Sequence, residues 1–327
     1  MIHYAHTMKT VLAAITLLWI GPIALAMAPA AADAFAMDEV APGVFVHAGL
    51  PEYADRNNHG DIANAGFIIG AEAVAVIDTG NSPAIGRSLR DAIRQRTELP
   101  IRYVVNTHMH PDHIFGNAAF AEDHPVFVAH AGFQSALMAR ADSYQRRLEE
   151  DLGPEAARDA TMVPPTRTVE AQTAESAPTP PLKLDLGGGR VIELTAWPTA
   201  HTNNDLTVLD PASGTLFAGD LVFLDRLPTI DGSAIGWLKV MDRLAGVAAS
   251  MVVPGHGPSS ASWPQAMEPQ RLYLTTLIDD IRAIQKRGGT IEQAAEQAAS
   301  SQRDHWRLFD EDNPRNAVTV FAEMEWE

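Results

Sequence analysis

Apolar residues fall first into short runs broken by Gly, Pro and polar turns, and only later into long helical stripes. Residues 44–46 (Val-Phe-Val) read as a first strand. The runs 65–70 and 73–78 flank Gly70-Ala71-Glu72 and predict a hairpin. Ser82-Pro83 then opens a helix with Ile85, Leu89 and Ile93 on one face and Pro100 beyond its end. Residues 101–106 form a buried-type strand and 126–128 another, followed by a helix through about Leu152. Strand signals resume at 182–186, turn at Gly187-Gly188-Gly189, and continue at 191–197. The runs 206–209 and 215–218 flank the turn at 211–214. A helix is expected over 234–249, then a strand at 251–253. Leu274, Leu277, Ile281 and Ile284 mark a C-terminal helix that ends on Lys286-Arg287-Gly288-Gly289. Two strand-rich halves, each followed by helices, suit two packed sheets with helices outside.

Two stretches depart from this pattern. Residues 153–181 carry Pro154, Pro164, Pro165, Pro178, Pro180 and Pro181 among Ala, Thr and Glu, and predict a long connection. At the start, Lys9 precedes a mostly apolar run over 11–28, broken by Gly21-Pro22. Ala34-Phe35-Ala36 then fits an A-x-A cleavage site, with Ala30-Ala31-Ala32 as an alternative. Residues 1–36 are therefore expected to be a signal peptide. The Gly-Pro break and the Ala-rich exit disfavour an uncleaved anchor. The expected organisation is a main domain over 37–264 and a helical extension over 265–327 packed on it. The expected location is a bacterial periplasm.

Composition narrows the chemistry. The 327 residues include 41 acidic and 24 basic side chains, for a formal charge of −17. Removing residues 1–36 takes away Lys9 and Asp33 and leaves that balance unchanged. Such acidity disfavours a nucleic-acid surface, which needs a basic footprint. There is no cysteine, so disulfides, thiolate metal sites and a cysteine nucleophile are excluded. The 12 histidines and the carboxylates are left to hold a metal.

The strongest motif is His108-Met109-His110-Pro111-Asp112-His113, directly after the strand ending at Asn106. A turn at a strand's end can aim such side chains at one point, so the set can serve two neighbouring metals. Downstream, Ala200-His201-Thr202, Gly219-Asp220 and Gly255-His256-Gly257 each put a metal-competent group at a strand exit beside a small residue. Singly each is a common turn; in this order behind the hexapeptide they form a constellation.

This pattern resembles the metallo-β-lactamase superfamily, with H-x-H-x-D-H followed by His, Asp and His, from about residue 44 to 260. The resemblance implies an α/β fold, the αβ/βα four-layer sandwich, with C-terminal helices added. It implies that His108, His110 and His201 bind a first zinc, that Asp112, His113 and His256 bind a second, and that Asp220 bridges them. Imidazole and carboxylate suit zinc at roughly 2.0–2.2 Å. Two metals roughly 3.5–4 Å apart would activate a bridging hydroxide as nucleophile, which Asp112 could orient. Asp112 and Asp220 are thus the candidate catalytic groups. The B1 lactamases have cysteine where Asp220 stands, and flavodiiron proteins have glutamate where His110 stands. Thr202-Asn203-Asn204-Asp205 replaces the T-P-G of many superfamily hydrolases, which sets this chain apart from glyoxalase II and B3 lactamases.

Four flanking stretches, at 60–67, 201–208, 219–233 and 323–327, resemble the quinoprotein relay system zinc metallohydrolases, a SoxH-like branch. That resemblance implies an exported protein linked to PQQ-dependent alcohol oxidation, with a periplasmic PQQ-dependent dehydrogenase as partner. The expected function is a dinuclear zinc hydrolase of an ester, thioester or lactone-type small molecule. Two alternatives stay open: an iron centre of the persulfide-dioxygenase type, and a non-catalytic metal-holding accessory of a quinoprotein system. No nucleic acid and no membrane span after cleavage are expected. β-Lactam hydrolysis is expected to be weak.

Around the site, the superfamily resemblance implies that Asp78, at a strand end, supports the metal loop through hydrogen bonds, and Asn117 is expected to cap a short helix. Arg226 and Asp231 follow the bridging Asp220 and are candidates either for gripping an anionic substrate or for an ion pair. His59 lies in the polar loop 55–61 and is expected to face solvent. His47, His124, His130 and His305 have no partner pattern.

Overall fold

The computed structural model describes residues 1–2, 35–171 and 180–325. The apolar leader predicted over 11–28 lies outside them. From Phe35 onward the chain forms one compact unit.

The first half builds a seven-stranded sheet from β1 (Asp38–Ala41), β2 (Val44–His47), β3 (Ala65–Ile69), β4 (Val74–Ile77), β5 (Ile101–Val105), β6 (Val126–His130) and β7 (Arg167–Val169), in that spatial order. The first four strands meander antiparallel, and β4 to β7 run parallel. The second half builds a six-stranded sheet from β8 (Leu182–Asp185), β9 (Val191–Ala196), β10 (Leu206–Asp210), β11 (Thr215–Phe223), β12 (Met251–His256) and β13 (Ala261–Ser262), ordered β13-β12-β11-β10-β9-β8. Among the described strands of that sheet, only β11 and β12 pair in parallel.

Period-2 alternation sorts side chains to the two faces of each strand. In β4, Ala75 and Ile77 turn inward and join Val105, Leu194, Val208, Phe217 and Val253 between the sheets. Val74 and Val76 turn outward against Leu89 and Ile93 of α1 (Pro83–Arg94). On the far side, Leu216, Val222 and Val252 meet Trp237 and Met241 of α5 (Ala234–Leu244), and Tyr273, Leu274 and Leu277 of α6 (Glu268–Lys286). Strands covered on both faces read as unbroken apolar runs, which explains the pattern of the sequence. The result is the expected four-layer arrangement, helix, sheet, sheet, helix. The C-terminal helices α7 (Ile291–Gln297) and α8 (Phe309–Met324) add Ala294, Ala317, Val320 and Phe321 to the outer core.

Several local expectations need correction. The long connection expected at 153–181 holds, among its described residues, two elements not foreseen: Pro154 opens α4 (Pro154–Asp159), and Arg167–Val169 becomes the edge strand β7. A three-residue edge strand with two exposed side chains carries no hydrophobic signal to read. The helix expected over 234–249 stops at Leu244, and 245–250 form a turn. Phe35 and Ala36, assigned to the leader, belong to the folded unit. The Phe35 ring stacks on His47 at 3.7 Å between centroids, and Ala36 O accepts from His47 Nδ1 at 2.8 Å. Among the described residues, no helix is long and apolar enough to cross a membrane.

Candidate metal centre

The histidines and Asp112 sit where strands run out, as expected, but Asp220 does not: the strand expected to end at Ala218 continues to Phe223 and holds Asp220 in its interior. The loop after β5 carries His108 and His110, and Pro111 then starts α2 (Pro111–Ile114), a single turn that holds Asp112 and His113. Proline suits that first helical position, because its φ is pre-set and its missing N–H would go unused. His201 lies between β9 and β10, Asp220 on β11 and His256 at the end of β12. Pairing between β11 and β12 is irregular on both sides of Gly219, a bulge beside the site that re-aims a side chain. Two glycines make the close approach possible. A Cβ on Gly255 would lie 1.9 Å from Asp220 Oδ1, and one on Gly219, at φ +52°, would lie 2.6 Å from Thr107 Cβ.

The seven predicted ligands converge as two groups. His108, His110, His201 and Asp220 bring donor atoms within 4.8 Å of one another, and so do Asp112, His113 and His256. Asp220 lies between them. Its Oδ2 is 3.7 Å from His108 Nε2, 3.3 Å from His201 Nε2 and 3.4 Å from His256 Nε2, while Oδ1 is 3.1 Å from His113 Nε2. Asp112 Oδ2 stands 3.4 Å from His256 Nε2 and 3.9 Å from His113 Nε2. His110 approaches through its other nitrogen, Nδ1, 3.0 Å from His201 Nε2.

These atoms fit a metal on two counts. Tetrahedral bonds of about 2.0–2.1 Å keep neighbouring ligands about 3.4 Å apart, and the observed spacings scatter around that. Moreover, His108 Nε2, His113 Nε2 and Asp220 Oδ1 are buried without a hydrogen-bond partner. Such orphaned atoms are costly unless a ligand satisfies them.

The opposite edge of each imidazole is tied down. His113 Nδ1 meets Asp78 Oδ2 at 2.9 Å, and His108 Nδ1 meets Thr107 Oγ1 at 3.1 Å. His201 Nδ1 meets Thr229 O at 2.8 Å, and His256 Nδ1 meets Ile62 O at 2.7 Å. His110 Nε2 meets Asp231 Oδ2 at 3.1 Å, and Arg140 Nη2 donates to Asp231 Oδ1 at 2.9 Å. These partners fix ring orientation and leave one nitrogen for the metal. Asp78 also accepts from Thr107 N at 2.8 Å and from Thr107 Oγ1 at 2.7 Å. It does so at φ +55°, a left-handed conformation that is uncommon outside glycine.

Electrostatics point the same way. Burial draws the His108 imidazole well below its ordinary pKa, with the His113 charge adding to the effect. Burial brings His201 down to about 4. Burial opposes ionisation of Asp220, but His256, His113 and His108 outweigh it and hold the carboxyl well below the usual range. Burial also lowers His113, yet Asp220, Asp78 and Asp112 together raise it well above its ordinary value. Two carboxylates in a buried pocket of imidazoles make a charge deficit that a divalent cation would cancel.

The remaining expectations divide. Asn117 is no cap. It is buried inside a 3₁₀ turn (Phe115–Asp123), where Oδ1 accepts from Thr79 Oγ1 and Asn106 Nδ2, and Nδ2 donates to Asn106 Oδ1. A buried amide needs such partners. Arg226 and Asp231 do not pair with each other: Asp231 is taken by His110 and Arg140, and Arg226 is buried over the Tyr53 ring on the Asp112 side. His59 is exposed. His47 is held by Asp61 at 2.8 Å, far from any site role. Sequence reasoning missed Thr107 and Arg140. Thr107 adjoins the hexapeptide and could have been suspected; Arg140 comes from the solvent side of α3 (Phe133–Leu152), which carries no motif.

Comparisons with known proteins agree with this geometry. A model of the metallo-β-lactamase superfamily matches residues 60–256. A linear primary-alkylsulfatase from Pseudomonas sp. is 24% identical over 221 residues, 57% of this chain. The chain spans only 40% of that relative's length. Among solved structures, the sec-alkylsulfatase Pisa1 from Pseudomonas sp. superposes with TM-score 0.65 at 18% identity, over 88% of this chain and 50% of the other. A metallo-β-lactamase from Pontibacter korlensis superposes with TM-score 0.57 at 20% identity, over 73% of this chain and 98% of the other. At these identities the structures speak for the fold alone. With the family model spanning well over half of its residues, the chain belongs to the metallo-β-lactamase superfamily.

Proposed function

We propose that this protein is a metal-dependent hydrolase holding two divalent ions, zinc by donor chemistry, and acting on an ester, thioester or lactone-type small molecule. The observation that carries it is the meeting of seven donors around orphaned buried atoms. On this reading His108, His110 and His201 hold one ion, Asp112, His113 and His256 the other, and Asp220 stands between. An all-nitrogen-and-oxygen set suits zinc. When bound, such ions lower the pKa of a water and polarise the oxygen of the bond to be cleaved. Asp112, with 17% of its side chain exposed, is the more open of the two central carboxylates, against 3% for Asp220, and so receives the proton of the attacking water. Two relatives are alkylsulfatases, which adds a sulfate ester to the substrates worth testing.

Metal analysis should find about two zinc ions per chain. His110→Ala and Asp220→Ala should abolish turnover of an ester, thioester, lactone and alkyl sulfate panel. A metal-free purified protein, or full activity in Asp220→Ala, would sink the idea. The persulfide-oxidising alternative needs a single iron, whereas the Asp112, His113, His256 group offers a second set of donors. Oxygen uptake with a persulfide would favour it nonetheless.

Export to the periplasm is part of the proposal and rests on the leader sequence. Because Phe35 and Ala36 pack on His47, cleavage upstream, at Ala30-Ala31-Ala32, keeps those contacts. Association with a PQQ-dependent dehydrogenase rests on the flanking motifs, and co-purification with such an enzyme would test it.

A further inference from the structure

A cavity of about 190 Å³ opens beside Asp112. It would hold about six waters at roughly 30 Å³ each. Its walls include Tyr53, Asn81, Asp112, Arg147, Arg226 and Arg315. In a chain of charge −17, a cavity lined by three arginines against two carboxylates, Asp112 and Asp151, is a local reversal of sign.

Their states differ. Arg147 is neutralised by Asp151, with Nε 2.6 Å from Oδ2. Arg315 is exposed at the rim and makes no ion pair among the described residues. Arg226 is only 7% exposed and also lacks an ion pair among the described residues. Its Nη1 donates to Glu52 O at 3.3 Å, and its guanidinium lies 5.3 Å from the centre of the Tyr53 ring. Its Nε is buried with no partner. A buried cation without a counter-ion is unfavourable, so its retention at a cavity wall points to an anion brought by the ligand. A second orphan stands in the same wall. Asn81, 6% exposed, has a buried Oδ1 without a partner. Its amide offers a ligand the oxygen or, turned over, the nitrogen. Neither group is used by the metal cluster.

We infer that this cavity is an oxyanion subsite, in which Arg226 and Arg315 bind a carboxylate or sulfate group of the substrate beside the metal centre. The inference rests on the hydrolase reading for its substrate but not for its binding. The guanidinium fork suits a planar or tetrahedral oxyanion, and each charge-assisted contact is worth about 10–100-fold in affinity. Two sources of oxyanion fit: a remote carboxylate on the substrate, or the sulfate of a sulfate ester.

The test has a binding arm and a turnover arm, both on the metal-loaded protein. Calorimetry compares butyrate with butyramide. Kinetics compare mono-4-nitrophenyl adipate and hexyl sulfate, as the two anion sources, with neutral 4-nitrophenyl butyrate. Butyrate should bind and butyramide should not. Arg226→Gln should weaken butyrate about 10–100-fold and reduce the anionic-to-neutral ratio of kcat/KM by a similar factor, at unchanged zinc content. Arg226→Lys should restore only part, since it keeps the charge and loses the fork. Arg315→Ala, at an exposed position, should cost a few-fold, and reads the subsite should Arg226→Gln fail to fold. Equal binding of butyrate and butyramide, or a ratio unmoved in both the Gln and Ala variants, overturns the inference. Absence of turnover on every ester overturns the hydrolase reading instead, and the calorimetry still decides the subsite.

Discussion

The metal cluster and the arginine cavity share Asp112 as a wall and are built on opposite plans. In the cluster every imidazole is anchored on its far side, by Asp78, Thr107, Asp231, Thr229 O or Ile62 O, so its free atoms are aimed before a metal arrives. In the cavity, Arg226 and Asn81 carry buried atoms that nothing in the protein satisfies. The first is preorganised for a resident group. The second keeps its unmet polar atoms for a ligand that comes and goes. Substitutions should therefore separate into two classes. Those beneath the cluster should change metal affinity, and those in the cavity should change substrate affinity at constant metal content.

The largest effect among the anchors belongs to Asp78. Asp78→Asn removes the charge and one acceptor from a buried carboxylate that serves Thr107 N, Thr107 Oγ1 and His113 Nδ1 together. Metal affinity, read by chelator competition, should fall about 10–100-fold. Stability of the metal-free protein should fall by about 1–3 kcal/mol, because a buried donor is left unmet. Urea unfolding with and without chelator separates the two losses. A variant with normal zinc affinity would break the contrast, since it would make Asp78 a fold residue only.

Asp231→Asn comes next. Asp231 serves one ligand, His110, and its side chain is 34% exposed. Water can replace part of what it provides, so the loss of metal affinity should sit near the lower end, about 10-fold, with little change in unfolding. Were zinc affinity unchanged while KM for an anionic ester rose, Asp231 would belong to the substrate side.

How much of this could be read from the chain follows from how each contact is made. Six of the seven clustered ligands adjoin another candidate or a glycine within two residues, because strand exits demand compact turns and the irregular pairing of β11 that aims Asp220 centres on Gly219. The unbroken apolar run Val74, Ala75, Val76 and Ile77 likewise marked a strand, which packing covers on both faces. Asp78 was legible only through the family resemblance, since a polar residue that ends a strand is by itself a common turn. What escaped is what tertiary packing alone creates. Arg140 reaches Asp231 across 91 residues of sequence from a helix face with no pattern. Strand β7 exists because β6 offers a free edge, and its own three residues contribute little hydrophobicity. Asn117 looked like a cap because its position near a helix end is all that sequence reveals; the buried amide pair with Asn106 needs the fold.

The smallest effects give the sharpest comparison, because two arginines that reach water, the half-buried Arg140 and the exposed Arg315, flank the site and touch different parts of it. Arg140 donates to Asp231 and so supports a metal ligand at one remove. Arg315 lines the cavity and touches no metal anchor. Exposed ion pairs are worth about 0.2–1 kcal/mol, which limits Arg140→Ala to about a five-fold loss of zinc affinity, with the anionic-to-neutral substrate ratio unchanged. Arg315→Ala should do the reverse, leaving zinc affinity at the wild-type value and lowering that ratio a few-fold. Added salt should shrink both effects, since both charges face water. If the two variants moved the same quantity, cluster and cavity would be one electrostatic unit, and the division drawn from their hydrogen bonding would fall.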